Sequence, residues 1–432
     1  MSADEVAALV KDGDWLDYGG TLCQPDLFDS ALARRVEELA DVRIRATLSL
    51  RPRAVLAADP HGETFHFFNW HFSGYDRKQA DAGLQNYIPC NLGELADYYR
   101  RFIEPPDMVV LKTCPMDENG FFNFSAANLY HRALVERART VVVEVAPGLP
   151  YLYGADNGVH VSEVDYVIEG NDLPAPELPN PPASDVDRAV ARLIAAEIED
   201  GSCLQVGIGG MPNAVTSLLL ESGIRDLGVH TEMLTDGILD LYRAGVVTGS
   251  AKTTYPGKIV CSFALGSQSL YTDIDRNRDI ECLPLETTNL PHLIMANDDV
   301  VAINNTTLMD LQGQAASESD GHRHISGTGG QAQFVRGAYA SRRGKSFICL
   351  SSTFERPGVR KSRIVLDMSP GNVVTTTRSD MMYVVTEHGI VNLKGKSVAE
   401  RATAMISIAH PDFREGLARD AREHGLIPRT FR

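Results

Sequence analysis

Residues 228–237 read Gly-Val-His-Thr-Glu-Met-Leu-Thr-Asp-Gly. An apolar-flanked strand ends in a lone carboxylate, Glu232, and a polar, glycine-containing turn follows at once. Upstream, residues 207–212 read Gly-Ile-Gly-Gly-Met-Pro after another strand. A carboxylate beside a ring of backbone N–H groups suits one chemistry: it can attack an acyl carbonyl while the N–H groups hold the oxyanion.

Short, β-branched runs recur on both sides of this stretch. They are Met108–Leu111, Thr140–Val145, Val300–Ile303, Ser346–Leu350 and Met382–Val385. They alternate with amphipathic stretches such as Phe28–Leu39 and Asn213–Leu220. That alternation predicts an α/β fold with mainly parallel sheets flanked by helices. Pro174, Pro176, Pro179, Pro181 and Pro182 crowd residues 171–183 and mark a linker, because proline has no N–H and favours extended backbone. A helix is expected straight after it. Ser184 can cap it, Asp187 sits in its first turn, Val186, Val190, Leu193, Ile194 and Ile198 form its apolar stripe, and Gly201 ends it. The domains are therefore expected at 1–183 and 184–432.

An internal repeat is also present. Residues 16–25 align without gaps on residues 203–212, each a strand, then G-x4-P, then a helix. Two copies of one α/β unit predict two similar domains with a cleft between them. A strand–glycine–proline–helix arrangement is common, so chance explains this match equally well.

The chain has 432 residues, with 41 Lys and Arg against 57 Asp and Glu, a net charge of −16. This balance argues against nucleic acid as a partner. No apolar run approaches a membrane span. Residues 1–13 are acidic and lack the features of a signal peptide. The seven cysteines are widely spaced, with no C-x-x-C, and read as reduced thiols of a cytoplasmic protein.

The glycine loop at 207–212 is neither a dinucleotide fingerprint nor a Walker A loop: the third glycine of the first and the Gly-Lys-Ser/Thr of the second are missing. Taken alone it reads as a tight strand-to-helix connection. A second cluster, Gly327, Gly329 and Gly330 in residues 325–331, strengthens the reading of an anion or oxyanion site. Lys345, at a strand start in Gly-Lys-Ser, could reach a phosphate. No H-E-x-x-H, G-x-S-x-G or deaminase P-C-x-x-C is found, so no metal is expected and His230, His388 and His410 read as structural.

Together these stretches resemble the class I CoA-transferases, in the branch of 4-hydroxybutyrate CoA-transferase and acetyl-CoA hydrolase. The similarity rests on residues 206–212, 228–241, 325–338, 376–378, 385–390 and 409–414 in that order, and spans nearly the whole chain. The resemblance implies that Glu232 is the nucleophile and forms a glutamyl-CoA thioester. It implies that Gly207, Ile208, Gly209, Gly210, Met211, Pro212 and Asn213, with Gly327, Gly329 and Gly330, surround the thioester and the CoA. It places a CoA-contacting lysine at Lys345. Coenzyme A is then substrate and covalent intermediate, with no permanently bound cofactor. The partners are acyl-CoA and carboxylate substrates, and the assembly is a homodimer or homotetramer. Family members carry Asn at the position of Ala146 and Tyr at that of Thr287, both expected to border the acyl site. The expected activity is acyl-CoA:carboxylate CoA-transfer. The alternatives are hydrolysis by the same glutamate, a non-catalytic CoA sensor and phosphosugar isomerase chemistry.

Overall fold

Two sheets of the same strand order organise the chain in the computed structural model, which describes residues 1–178 and 181–431. The first sheet contains β1 (Trp15–Gly20), β2 (Val42–Thr47), β3 (Phe65–Asn69), β4 (Gln85–Tyr87), β5 (Met108–Thr113), β6 (Val141–Val145) and β7 (Tyr166–Glu169). Its order is β4-β3-β2-β1-β5-β6-β7, and all its pairs are parallel. The second sheet contains β8 (Cys203–Val206), β9 (Gly228–His230), β10 (Ile259–Cys261), β11 (Ile280–Cys282), β12 (Val300–Asn305), β13 (Lys345–Cys349), β14 (Tyr383–Thr386) and β15 (Gly389–Asn392). Its order is β11-β10-β9-β8-β12-β13-β14-β15, parallel except for the last pair. Leaving out β15, the two sheets are wound identically. β1 and β8, the strands of the repeat, are the starting strand of each.

The valine-rich runs became central strands because both of their faces are covered. Val109, Leu111, Val141 and Val143 enter one apolar cluster, while Met108, Val110 and Val142 enter another. Alternate residues point to opposite faces, so a strand buried on both sides must be apolar throughout. The first cluster also takes in Leu204, Val206, Val229 and Ile303 of the second sheet, so one core joins the two units.

Six helices matter for the site: α1 (Leu27–Ala33), α2 (Gly74–Asp81), α3 (Asp185–Ala195), α4 (Gly210–Glu221), α5 (Leu285–Thr288) and α6 (Gln331–Ala340). The start of α3 follows expectation: Ser184 caps the N–H of Asp187, whose carboxylate bonds back to Ser184. Val190, Ile194 and Ile198 are buried. The helix ends at Ala195, earlier than expected, and the chain turns before Gly201, at φ +79°, leads into β8. α1 likewise stops at Ala33, not Leu39.

The proline-rich stretch is packed against the second unit. Leu178 N–H donates to Gly266 O (3.1 Å), Tyr271 Oη to Pro176 O (2.8 Å) and Gln268 Nε2 to Ala175 O (2.7 Å). Pro179 and Asn180 of the expected linker lie outside the described residues. We propose the boundary between the units at 183/184, where α3 begins.

Candidate active site

In an open parallel sheet, ligands bind beyond the carboxyl ends of the strands, where the winding reverses. In the second sheet that point is β8, with β9 on one side and β12 on the other. Gly207 follows β8, Glu232 follows β9, and Asn304 and Asn305 end β12. All four line a cavity of about 380 Å³. The opposite wall comes from the first unit and includes Leu48, Leu50, His71, Phe72, Arg77 and Leu92.

The backbone of Glu232 is tightly held. Its carbonyl accepts from Ser262 N–H (2.9 Å) and Phe263 N–H (3.2 Å), and Met233–Leu234 pairs with Phe263–Ala264. Its carboxylate accepts a hydrogen bond from Asn289 Nδ2. Asn289 is the residue just after α5, and it is oriented by a relay: Thr288 Oγ1 donates to Asn289 Oδ1 (2.8 Å), leaving Ser262 Oγ (2.5 Å) to donate to Thr288. His230 Nε2 donates to Thr288 O (2.9 Å) and ties this segment to β9. Burial pushes the Glu232 carboxyl up to about 7, while the Asn289 bond acts the other way. Burial also holds His230 at about 4, so the ring is neutral.

Gly330 caps α6 and lies against the carboxylate. A Cβ there would sit 2.3 Å from Glu232 Oε2 and 2.6 Å from Asn289 Nδ2. The absence of a side chain brings the N-terminal end of α6, with its positive partial charge, beside Glu232. Gly327 is equally confined: its Cβ would come 2.9 Å from both His71 Nδ1 and Trp70 O. Gly329 has φ +60°, a region that favours glycine. This loop is pinned to the first unit through Phe72 N–H to Ser326 O (3.3 Å) and Leu92 N–H to Gly329 O (3.2 Å). Buried Glu318 anchors it from behind, accepting from Thr328 Oγ1 (2.9 Å) and Tyr87 Oη (3.3 Å).

The structure therefore brings together Glu232, Gly207, Ile208, Gly327, Gly329 and Gly330. Ile208, Gly209 and Asn213 line an adjoining depression with Thr235 and Asp236. Gly210 packs near Asp187, and Met211 and Pro212 are buried in the first turn of α4. Lys345 does not join the site. It begins β13 opposite Val301, at the amino end of the sheet, while the cavity lies at the carboxyl end. Its Nζ bonds Glu197 O (2.9 Å) and Glu197 Oε2 (3.0 Å). Ala146 and Thr287 do not line the cavity either. Asn289, His71 and Arg77 went unnoticed in the sequence. Only Asn289 had a nearby signal, in the Glu286–Asn289 segment.

The same place in the first unit is filled. The shared register matches Asp26, Leu48, Lys112 and Glu144 with Asn213, Glu232, Asn304 and Ile348. Glu144 accepts from the N–H groups of Asp26, Leu27 and Phe28 at 2.9–3.2 Å and so occupies the start of α1. Asp26 is in turn bonded by Lys112, Arg51 and Arg53. In the second unit the neutral counterparts leave the crevice open.

Profiles of the acetyl-CoA hydrolase/transferase N-terminal and C-terminal domains match residues 1–179 and 266–421. The chain belongs to the acetyl-CoA hydrolase/transferase family. It is an enzyme of the CoA-transferase class. Among its relatives in this family is the butyryl-CoA:acetate CoA-transferase of Anaerostipes caccae. That protein is 43% identical over 432 residues, covering 99% of this chain and 97% of the relative. Two solved structures of the same build are RipA from Yersinia pestis and a 4-hydroxybutyrate CoA-transferase from Porphyromonas gingivalis. RipA superposes with TM-score 0.89 at 33% identity, covering 99% of this chain and 97% of RipA. The second gives TM-score 0.79 at 33% identity, covering 98% and 97%.

Proposed function

We propose that the enzyme transfers CoA from a short-chain acyl-CoA to a carboxylate acceptor by a ping-pong mechanism through Glu232. One observation carries this reading: a single carboxylate stands at the switch point of the second sheet, on the cavity wall, with one amide donor bonded to it. A Glu232 carboxylate oxygen attacks the thioester carbonyl. The tetrahedral adduct collapses, the C–S bond breaks, and CoA thiolate leaves an acyl–glutamyl anhydride. The thiolate then attacks the glutamyl carbonyl of that anhydride. The acyl group departs as its carboxylate, and glutamyl-CoA remains. An acceptor carboxylate repeats both steps in reverse and leaves as the new acyl-CoA. One thioester replaces another, so the cycle balances with no further reagent.

Asn289 and the N-terminal end of α6 are placed to stabilise the oxyanion formed on the Glu232 carbonyl during thiolate attack. Losing one such donor typically costs about 10²–10³ in rate. Leu48, Leu50, Phe72, Leu92 and Phe263 supply an apolar wall for a short acyl chain. Butyryl-CoA and acetate, the substrates in the relative's name, are the proposed substrate pair. The Gly207–Asn213 turn, which borders the cavity and its adjoining depression, is the proposed neighbour of the CoA arm. A cytoplasmic location is proposed. All seven cysteines are free, and among the described residues no helix is long and apolar enough to cross a membrane. A homodimer or homotetramer is the proposed assembly, read by sedimentation.

The test is to incubate the protein with butyryl-CoA, with and without acetate, and to follow acetyl-CoA formation against free CoA release. Transfer predicts acetyl-CoA with parallel double-reciprocal plots, and inactivation by borohydride only when acyl-CoA is present. Release of free CoA at the same rate without acetate would make the enzyme a hydrolase. Intersecting plots without borohydride sensitivity would replace the covalent intermediate by direct transfer.

A further inference from the structure

Arg77 stands on the cavity wall without an ion pair among the described residues. It lies in α2, whose start is fixed by reciprocal bonds between Ser73 and Asp76. Neither neighbouring acid bonds to it, although Asp81 lies near enough for Arg77 to lower its carboxyl. Asp76 accepts from Ser49 N–H (2.8 Å), Ser73 N–H (2.9 Å) and Gln85 Nε2 (2.9 Å). Asp81, one turn further on, is held by two bonds from Arg323, each 2.6 Å. Among the described residues the Arg77 guanidinium makes no ion pair and no hydrogen bond, and its buried Nε has no acceptor. Among the described residues, Arg77 is the only Lys or Arg lining this cavity, and Glu232 is the only acid. Nearby, the buried His71 Nδ1 also has no partner. Burial keeps that ring neutral, at about 4, so it adds no second positive charge beside Arg77.

The Arg77 Nε is buried without an acceptor, which costs free energy, and an anion entering the cavity can supply that acceptor. We propose that Arg77 is the anion-binding residue of this cavity and holds a negatively charged group of the substrate other than the reacting carboxylate. This rests on the CoA-transfer reading, which assigns the reacting group to Glu232. Two groups carry the required charge: a phosphate of CoA, or a second carboxylate on the acyl group or the acceptor. Arginine suits either, because its planar fork matches phosphate and carboxylate oxygens.

The experiment uses the full chain with Arg77→Gln and Arg77→Lys. Calorimetry measures binding of CoA, of pantetheine, which lacks the phosphates, and of acetate and succinate. Turnover is measured with acetate and with succinate as acceptor. Loss of a charged hydrogen bond predicts roughly 10- to 100-fold weaker binding of the anionic ligand in Arg77→Gln, partly restored in Arg77→Lys. Weakening for CoA with pantetheine unchanged identifies a phosphate. Weakening for succinate with acetate unchanged identifies a second carboxylate. The proposal is overturned if CoA and succinate bind the variants as they bind wild type. It is equally overturned if pantetheine and acetate weaken to the same degree, which marks general damage. Because binding is measured without turnover, a wild type that binds CoA but transfers none of it refutes the CoA-transfer reading and leaves the Arg77 result standing.

Discussion

Asn289 donates its side-chain amide to the carboxylate of Glu232, from a position 57 residues along the chain. The bond favours the ionised form of a carboxyl that burial, even against it, holds up at about 7. Among the described residues it leaves the nucleophile with one direct side-chain donor and no ion pair. Removing that donor should therefore move the pH dependence as well as the rate. Asn289→Ala should lower kcat by about 10²–10³-fold, the cost of one oxyanion donor. The acid limb of kcat/KM should move to higher pH, because the remaining influence on Glu232 is desolvation. An unmoved acid limb would exclude Asn289 as the partner that sets this ionisation.

Glu232→Ala should fold and lose transfer, since among the described residues no other acid lines the cavity. Glu232→Gln isolates the ionisation in a stability measurement. The folded carboxyl titrates at about 7, above its ordinary value of 4.5. Between those values the folded protein binds more protons than the unfolded chain, so this group's contribution to stability is complete below 4.5 and is lost as pH rises through 7. The glutamine variant lacks that loss. Its stability relative to wild type should grow from pH 4.5 to pH 8, towards roughly 3 kcal/mol. Denaturant melts of both proteins across this range check the sign.

Gly330→Ala should depress transfer strongly. The backbone of Gly330 is right-handed, with φ −95°, so the added methyl brings no conformational strain. Its cost is the contact with Glu232 and Asn289. Stability should fall together with activity, by about 1–3 kcal/mol as in other overpacked sites. Glu232→Ala in the same chain should recover part of that stability by removing one of the colliding groups. A double-mutant cycle of melting free energies measures the recovery, and strictly additive effects would show that the two residues do not meet.

Lys345→Met should leave the KM for acyl-CoA unchanged. Its ammonium is committed to Glu197, at the amino end of the sheet. The ion pair is partly exposed, so its loss should cost no more than about 1 kcal/mol. A rise in KM of tenfold or more would return Lys345 to the substrate.

Some of this enzyme was legible in the sequence because it depends on neighbouring residues. The β-branched runs at 108–111 and 140–145, alternating with amphipathic stretches, marked strands of a parallel sheet. Ser184 with Asp187 announced the start of α3. The aligned segments 16–25 and 203–212 marked the starting strands of two identically wound sheets, because strand, turn and helix are encoded within one short stretch. Glu232 stood out for the same reason, as a lone carboxylate at a strand end before a polar turn. Lys345 was misplaced because Gly-Lys-Ser is a local pattern, while the end of the sheet at which a strand begins is set by its parallel partners. Asn289 reaches the Glu232 carboxylate from just after α5, while His71 and Arg77 reach the cavity from the segment after β3 and from α2. No spacing along the chain records that meeting. Only the tertiary structure decided that the first unit's crevice would be closed by Glu144, Asp26 and Lys112 while the second stayed open. Which groups face a cavity, and how far burial shifts their ionisation, depends on residues brought together from two sheets by the core between them.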